Sequence, residues 1–144
     1  IEPFTGFNVT LAGRYNDVKT TYHGELMEKP YVAKWKGLVV LSYKTKYDKW
    51  MFDLTTQFNG KQRIPLNVGE KQGYAEPYIY MLGQITRKFK DIDIYVGVEN
   101  LTNYTQNIPV IGVDEMFTKG FDASVVYAPV MGRLIYAGLR WNIK

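Results

Sequence analysis

The feature that most constrains the fold of this chain is an alternation of apolar and polar residues with a period of two. It is cleanest in residues 50–59, where Trp50, Phe52 and Leu54 alternate with Asp53 and polar neighbours. Successive side chains of a β-strand point to opposite faces, so this pattern predicts strands with one apolar and one polar face. It recurs in six segments, residues 4–15, 31–44, 50–59, 74–89, 92–101 and 133–143.

The connections between these segments alternate in length. Residues 16–30, 60–73 and 102–132 form long connections, whereas residues 45–49 and 90–91 form short ones. In an antiparallel up-and-down meander of about six strands, long and short connections lie at opposite ends. Bacterial outer-membrane barrels have this asymmetry, with short periplasmic turns and longer extracellular loops.

Aromatic residues, 15% of the chain, gather at the two ends of the predicted strands. The short-turn end carries Tyr43, Trp50, Phe89 and Trp141, and the opposite end carries Tyr15, Trp35, Phe58 and Tyr78. Two such rows flanking an apolar band predict the aromatic girdles of a transmembrane barrel. A soluble β-sheet would explain the alternation, but it predicts no aromatic rows.

Six strands do not close a barrel, because even the smallest barrels use about eight. The expected fold is therefore all-β, a partial transmembrane barrel that stays an open sheet unless further strands or other copies of the chain complete it. If the segment is produced alone, its two edge strands predict aggregation or self-association. No run of about 18 apolar residues predicts a membrane-spanning helix.

Short sequence blocks in the second half of the chain carry a family resemblance. In chain order they are Tyr95 with Gly97, Glu99-Asn100-Leu101-Thr102-Asn103-Tyr104, Phe121-Asp122-Ala123-Ser124, Ala128-Pro129, Gly132-Arg133 and Tyr136-Ala137-Gly138-Leu139-Arg140-Trp141. Their order resembles the C-terminal region of TonB-dependent receptors, particularly the Bacteroidetes type. A weaker likeness extends upstream over nearly the whole chain, for example through Arg63-Ile64-Pro65.

The resemblance implies that residues 1–144 are the C-terminal portion of a receptor barrel of about 22 strands, without its plug domain and earlier strands. It implies location in the bacterial outer membrane and active uptake of a siderophore, haem, vitamin or glycan. The implied partners are membrane lipid, the rest of the barrel and plug, the barrel-assembly machinery and, through the plug, the inner-membrane TonB complex. The chain end resembles a barrel-assembly signal carried by Tyr136, Leu139, Trp141 and Ile143, although Ile143-Lys144 stands where a terminal Phe is common.

Residues that carry enzyme chemistry are sparse, so the sequence predicts no enzyme, cofactor or metal site. There is no cysteine, His23 is the sole histidine, and Ser42 and Ser124 lie in no nucleophile motif. The carboxylates of Asp91 with Asp93, and of Asp114 with Glu115, fit solvated loops better than a paired-acid site. A net charge of +4 comes from scattered lysines, which argues against a nucleic-acid site.

The longest connection is where the sequence predicts contact with a substrate, because structureless loops beyond about 15 residues are usually functional or disordered. Its candidate contact residues are Asp114, Glu115, Met116, Phe117, Phe121 and Asp122. The alternative to a transport function is a soluble β-sheet module that binds a ligand with its apolar face. Dependence on detergent would distinguish the two.

Overall fold

The computed structural model describes residues 2–64, 73–107 and 126–143, and its main element is a six-stranded antiparallel sheet. The described residues form ten strands, which in chain order are β1 (Phe7–Tyr15), β2 (Lys19–Tyr22), β3 (Glu25–Glu28), β4 (Trp35–Lys44), β5 (Trp50–Asn59), β6 (Gln62–Ile64), β7 (Gly73–Ala75), β8 (Tyr78–Lys88), β9 (Ile92–Glu99) and β10 (Leu134–Trp141). The large sheet has the order β1-β4-β5-β8-β9-β10. All six predicted segments are therefore strands of one up-and-down sheet, as expected.

Several predicted segments were wider than the strands, and the difference is largest, four residues, at the start of β4 and of β8. Residues 31–34 were predicted to open the second segment, but Tyr31 has a φ of 62°, which an extended strand does not allow, and β4 begins at Trp35. Residues 74–77 were predicted to open the fourth, but residues 73–75 pair as β7 with β6 instead. Pro77 stands between β7 and β8, where its missing N–H breaks the ladder.

Two hairpins inside the long connections were not predicted. β2 pairs with β3, and β6 pairs with β7, each as a separate two-stranded sheet. The turn between β2 and β3 is formed by His23 and Gly24, with φ values of 50° and 85°. Two successive residues with positive φ are typical of a two-residue hairpin turn that follows the right-handed strand twist.

The register of the sheet keeps the two faces separate across all six strands. One row of paired residues on one face contains only apolar side chains or glycine: Val9, Leu41, Leu54, Gly83, Val98 and Ile135. The neighbouring row, on the other face, is Asn8, Ser42, Asp53, Gln84, Gly97 and Tyr136. The alternation seen along each strand thus combines into one apolar face and one polar face.

Nothing among the described residues forms a second layer over the apolar face. On it, the exposed fractions are 66% for Leu11, 46% for Val96 and 61% for Leu139. The buried apolar residues are Ala33, Ile64, Ala75 and Ala128, and all four lie in the long connections or their hairpins. The best-packed part of the described chain is therefore outside the large sheet.

In residues 2–64, 73–107 and 126–143, no helix has the length and apolar character needed to span a bilayer.

Candidate functional site

The short-turn end of the apolar face carries a continuous cluster of aromatic rings. Tyr43 and Trp50 each stack on Phe52, with ring centroids 6.3 and 6.4 Å apart. The guanidinium of Arg87 lies 4.7 Å from the Trp50 ring centroid and 5.5 Å from that of Phe89, as in a cation–π contact. Trp141 pairs with Ile92 beside the short turn that Phe89 opens, so all four predicted girdle residues lie at this end.

The aromatic residues predicted for the opposite end lie there, but not all on the same face. Tyr15 pairs with Trp35, and Phe58 packs against Gly37, on the apolar face. The assignment of Tyr78 to this apolar row was wrong. Tyr78 pairs with Asn59 on the polar face, and its ring stacks on that of Tyr104 with centroids 4.9 Å apart. Its neighbour in β8, Ile79, lies on the opposite, apolar face.

The polar face contains a row of hydrogen-bonding side chains that crosses the sheet. Ser42 Oγ donates to Asp53 Oδ1 at 2.7 Å, and Gln84 Nε2 donates to Thr86 Oγ1 at 3.2 Å. The Tyr136 hydroxyl reaches across Gly97 and donates to Gln84 Oε1 at 3.1 Å. These bonds hold the polar side chains in place on this face.

The three long connections pack on one another at one end of the sheet, and we call their described residues within 16–34, 60–77 and 100–133 the loop cluster. Arg63 Nη1 donates to the Glu28 carbonyl at 3.0 Å, and the Tyr31 N–H donates to the Arg63 carbonyl at 2.9 Å. Gln62 Nε2 donates to the Tyr127 carbonyl at 2.9 Å. Side chains thus join all three connections through backbone carbonyls.

The loop cluster buries polar side chains beside its apolar ones. Gln62, Arg63, Asn100 and Gln106 are all buried, and Arg63 is only 8% exposed. Within the described ranges, Arg63 Nε is the only buried side-chain nitrogen or oxygen atom without a hydrogen-bond partner. At the exposed margin of the cluster, Lys34 Nζ lies 2.8 Å from Glu28 Oε1, and this hydrogen bond raises the pKa of Lys34.

Asn100 organises the turn that follows β9. It is 2% exposed with a φ of 53°, and its Nδ2 donates to the carbonyls of Tyr104 and Met131 at 2.8 and 3.1 Å. Its Oδ1 accepts from the Tyr104 N–H at 3.0 Å and lies 3.2 Å from Thr102 Oγ1. The sequence block around Asn100 was noted only for its family likeness; the structure shows that it ties both ends of the longest connection together.

The residues predicted to form a barrel-assembly signal do not share one face. Leu139 and Trp141 lie on the apolar face of β10, and Ile143 follows with 81% of its surface exposed. Tyr136 lies on the polar face over Gly97. The predicted substrate contacts Asp114, Glu115, Met116, Phe117, Phe121 and Asp122 lie outside the described residues.

His23, the sole histidine considered as a metal ligand, lies in a hairpin turn. It sits in the β2–β3 turn, with its ring 4.6 Å from that of Tyr22. Where the chain is described, no group of three or more His, Asp or Glu residues is placed to hold a metal ion.

Comparisons with known proteins find no similar protein: no family model matches the chain, and neither a curated protein nor a solved structure matches it.

Proposed function

We propose that this chain is part of the wall of an outer-membrane barrel, the C-terminal portion of a TonB-dependent receptor that takes up a nutrient. One observation carries the membrane part of this proposal. The apolar face continues across six strands and no described element covers it, although exposed apolar surface on this scale is rare in soluble monomers. A lipid bilayer supplies the missing cover.

The dimensions of the sheet suit a bilayer. Its six strands have 8 to 11 residues each, and a tilted transmembrane strand needs about 9 to 11 residues. The strands are also staggered, because β9 pairs with β8 only from Gly83 to Lys88 and leaves residues 78–82 beyond its end. Closure of a tilted barrel requires stagger of this kind.

The polar face and the loop cluster have roles that follow from this orientation. The row that contains Asp53, Gln84 and Tyr136 would line the barrel interior and face the plug or water. The loop cluster would lie at the extracellular mouth, where it forms part of the vestibule through which a substrate enters. The segment supplies wall and rim, whereas energy-driven uptake depends on the plug and the TonB complex.

The narrower identity, a TonB-dependent receptor, rests on the resemblance of the blocks described above. The block from Glu99 to Tyr104 and the residues Gly132 and Arg133 belong to one connected turn. In it Asn103 Oδ1 accepts from the Arg133 N–H at 2.9 Å, and Arg133 Nη2 donates to the Leu101 carbonyl at 2.9 Å. Blocks that are distant in sequence therefore meet in space, which supports treating them as one structural unit.

A pair of charge substitutions tests the membrane assignment. Val96→Lys places an ammonium on the apolar face, whereas Gln57→Lys places one at an exposed position on the polar face. In lipid vesicles we expect Val96→Lys to lower the free energy of unfolding by about 2 to 4 kcal/mol, and Gln57→Lys by less than about 1 kcal/mol.

The soluble alternative predicts different behaviour in lipid and in buffer. A soluble β-sheet module, the alternative function, would stay monomeric without detergent or lipid, and brominated lipids would not quench Trp50 or Trp141 fluorescence. Equal losses from the two lysine variants would contradict the assignment of the faces.

A further inference from the structure

Two hollows beside β8 differ in chemistry. The first lies on the apolar face. The second lies at the strand ends beside the long connections, where its lining includes Asn59 and Tyr78 of the polar face as well as Trp35 and Phe58 of the apolar face. We propose that together they hold one membrane lipid with an uncharged, hydroxyl-rich head group, a glycolipid, with its acyl chain beside Gly83 and its head beside Tyr104. This inference rests on the proposed membrane function and adds a defined lipid site to it.

The first hollow is apolar and is centred on a glycine. Its volume is about 380 Å³, and it is lined mainly by side chains of the apolar face, including Leu41, Phe52, Leu54 and Ile85. Gly83 lies in its floor, and the Leu101 side chain packs against this glycine, with Cδ1 3.1 Å from where a Cβ would stand. A hollow with this lining suits a hydrocarbon chain.

The second hollow combines aromatic rings with neutral polar groups. Its volume is about 710 Å³, within the range of ligand sites, and it is lined by Trp35, Phe58, Tyr104, Asn103, Thr105 and Asn107 among others. None of its lining residues is charged. Among the described residues, no hydrogen bond uses Asn103 Nδ2, the Thr105 hydroxyl or the Asn107 amide.

This composition selects the head group. A phosphate or carboxylate head would call for Arg or Lys, which bind such groups through charge-assisted hydrogen bonds. Aromatic rings beside free amides and a hydroxyl instead match a sugar, whose C–H faces are apolar and whose edges carry hydroxyls. Trp35 is 47% exposed, so its indole is available to such a ligand.

The two hollows border on consecutive residues, because Leu101 lines the first and Thr102 lines the second. The Leu101 N–H donates to the Met81 carbonyl at 2.9 Å, and Thr102 Oγ1 donates to the Ile79 carbonyl at 2.9 Å, so this segment follows the edge of β8. Ile79 lines the second hollow and Gly83 the first, four residues apart on the same face and thus about 13 Å apart along the strand. The head hollow lies nearer the long connections, where the proposed orientation places the outer lipid head groups.

Binding of monogalactosyl diacylglycerol to the full chain reconstituted in phosphatidylcholine vesicles tests the site. The Trp50→Phe, Trp141→Phe background leaves Trp35 as the only tryptophan, and its fluorescence reports occupancy of the head hollow. We expect saturable binding that Asn107→Leu and Gly83→Val each weaken by about tenfold. Thr21→Ala, exposed in the β2–β3 hairpin, is the matched control and should leave binding unchanged.

Other outcomes overturn the inference or relocate it. An equal response to added phosphatidylglycerol would remove the head-group selectivity, and equally tight binding of methyl galactoside without a lipid tail would make the head hollow a soluble-sugar site. Because Gly83→Val crowds Leu101, circular dichroism must show that it keeps its strands; Asn107→Leu tests the site independently. A chain that inserts into vesicles without lipid preference contradicts this inference alone, whereas a chain that fails to insert contradicts the proposed function.

Discussion

Tyr136 on β10 lies across the backbone of Gly97 on β9 and, over it, hydrogen-bonds Gln84 on β8. The relationship is reciprocal, since Tyr95 on β9 lies across Gly138 on β10 in the same way. The two tyrosine rings are 6.4 Å apart in an edge-on arrangement. An aromatic ring over a cross-strand glycine shields an otherwise bare stretch of ladder and fixes the register.

The Gly97–Tyr136 pair predicts that Gly97→Ala is destabilising. A Cβ at position 97 would overlap the Tyr136 ring, which would have to swing away and give up its hydrogen bond to Gln84. We expect a loss of about 1 to 3 kcal/mol in the free energy of unfolding, measured by urea titration in detergent. Gly13→Ala is the control, because a Cβ there meets nothing within 4 Å. Similar losses from both variants would mean that the tyrosine does not occupy this position.

The turn at Asn100 predicts that replacing asparagine by aspartate lowers stability much more at position 100 than at position 103. Asn100→Asp removes both hydrogen bonds donated to the Tyr104 and Met131 carbonyls and buries a carboxylate, so we expect a loss of about 2 kcal/mol or more. Asn103→Asp keeps the acceptor for the Arg133 N–H at an exposed site and should change stability by less than about 0.5 kcal/mol. Urea titration of both variants checks this, and a mild effect at position 100 would contradict the network.

The proposed orientation predicts which connections reach the cell exterior. Because the chain has no cysteine, single cysteines can be placed cleanly. On intact bacteria, a membrane-impermeant maleimide should label Thr21→Cys in the β2–β3 hairpin but not Tyr47→Cys in the short turn after β4. Both positions are exposed, so accessibility within the fold is matched. Labelling of Tyr47→Cys alone would invert the orientation.

The ion pair between Lys34 and Glu28 predicts a local dependence on pH. The pKa of Lys34 is raised, so the protonated form is favoured in the fold; the contribution is fully present below the ordinary lysine pKa and is lost as pH rises through the folded value. An NMR titration of the Lys34 side-chain Cε signal measures this pKa directly, and we expect its midpoint to lie above the ordinary lysine value. Glu28→Gln removes the carboxylate partner and should return the midpoint to the ordinary value. A midpoint that stays raised in Glu28→Gln would assign the shift to another group.

The strands of the large sheet were predictable because their information is local. Alternation such as that of Trp50, Phe52 and Leu54 repeats along every strand, and the register preserves it. The β2–β3 hairpin was harder to predict from the sequence, because its strands have only four residues each and alternate little. The His23-Gly24 turn is its one local sequence signal.

The loop cluster was not predictable because its contacts are distant in sequence. Arg63 binds the Glu28 carbonyl, and Gln62 binds that of Tyr127, across 35 and 65 residues respectively. No periodic pattern records such bonds. Asn100 illustrates the same limit: its motif was visible in the sequence, but its role depends on the carbonyl of Met131, 31 residues away.

The hydrogen bonds between the three connections of the loop cluster have a consequence for engineering. Side-chain bonds from Arg63 and Gln62 reach the backbone of two other connections, so the three connections form one interlocked rim. Grafting a single foreign connection onto this scaffold would leave the other two without their anchors. A change of specificity by loop exchange would therefore have to transplant the whole rim as a unit, with the strand ends that support it.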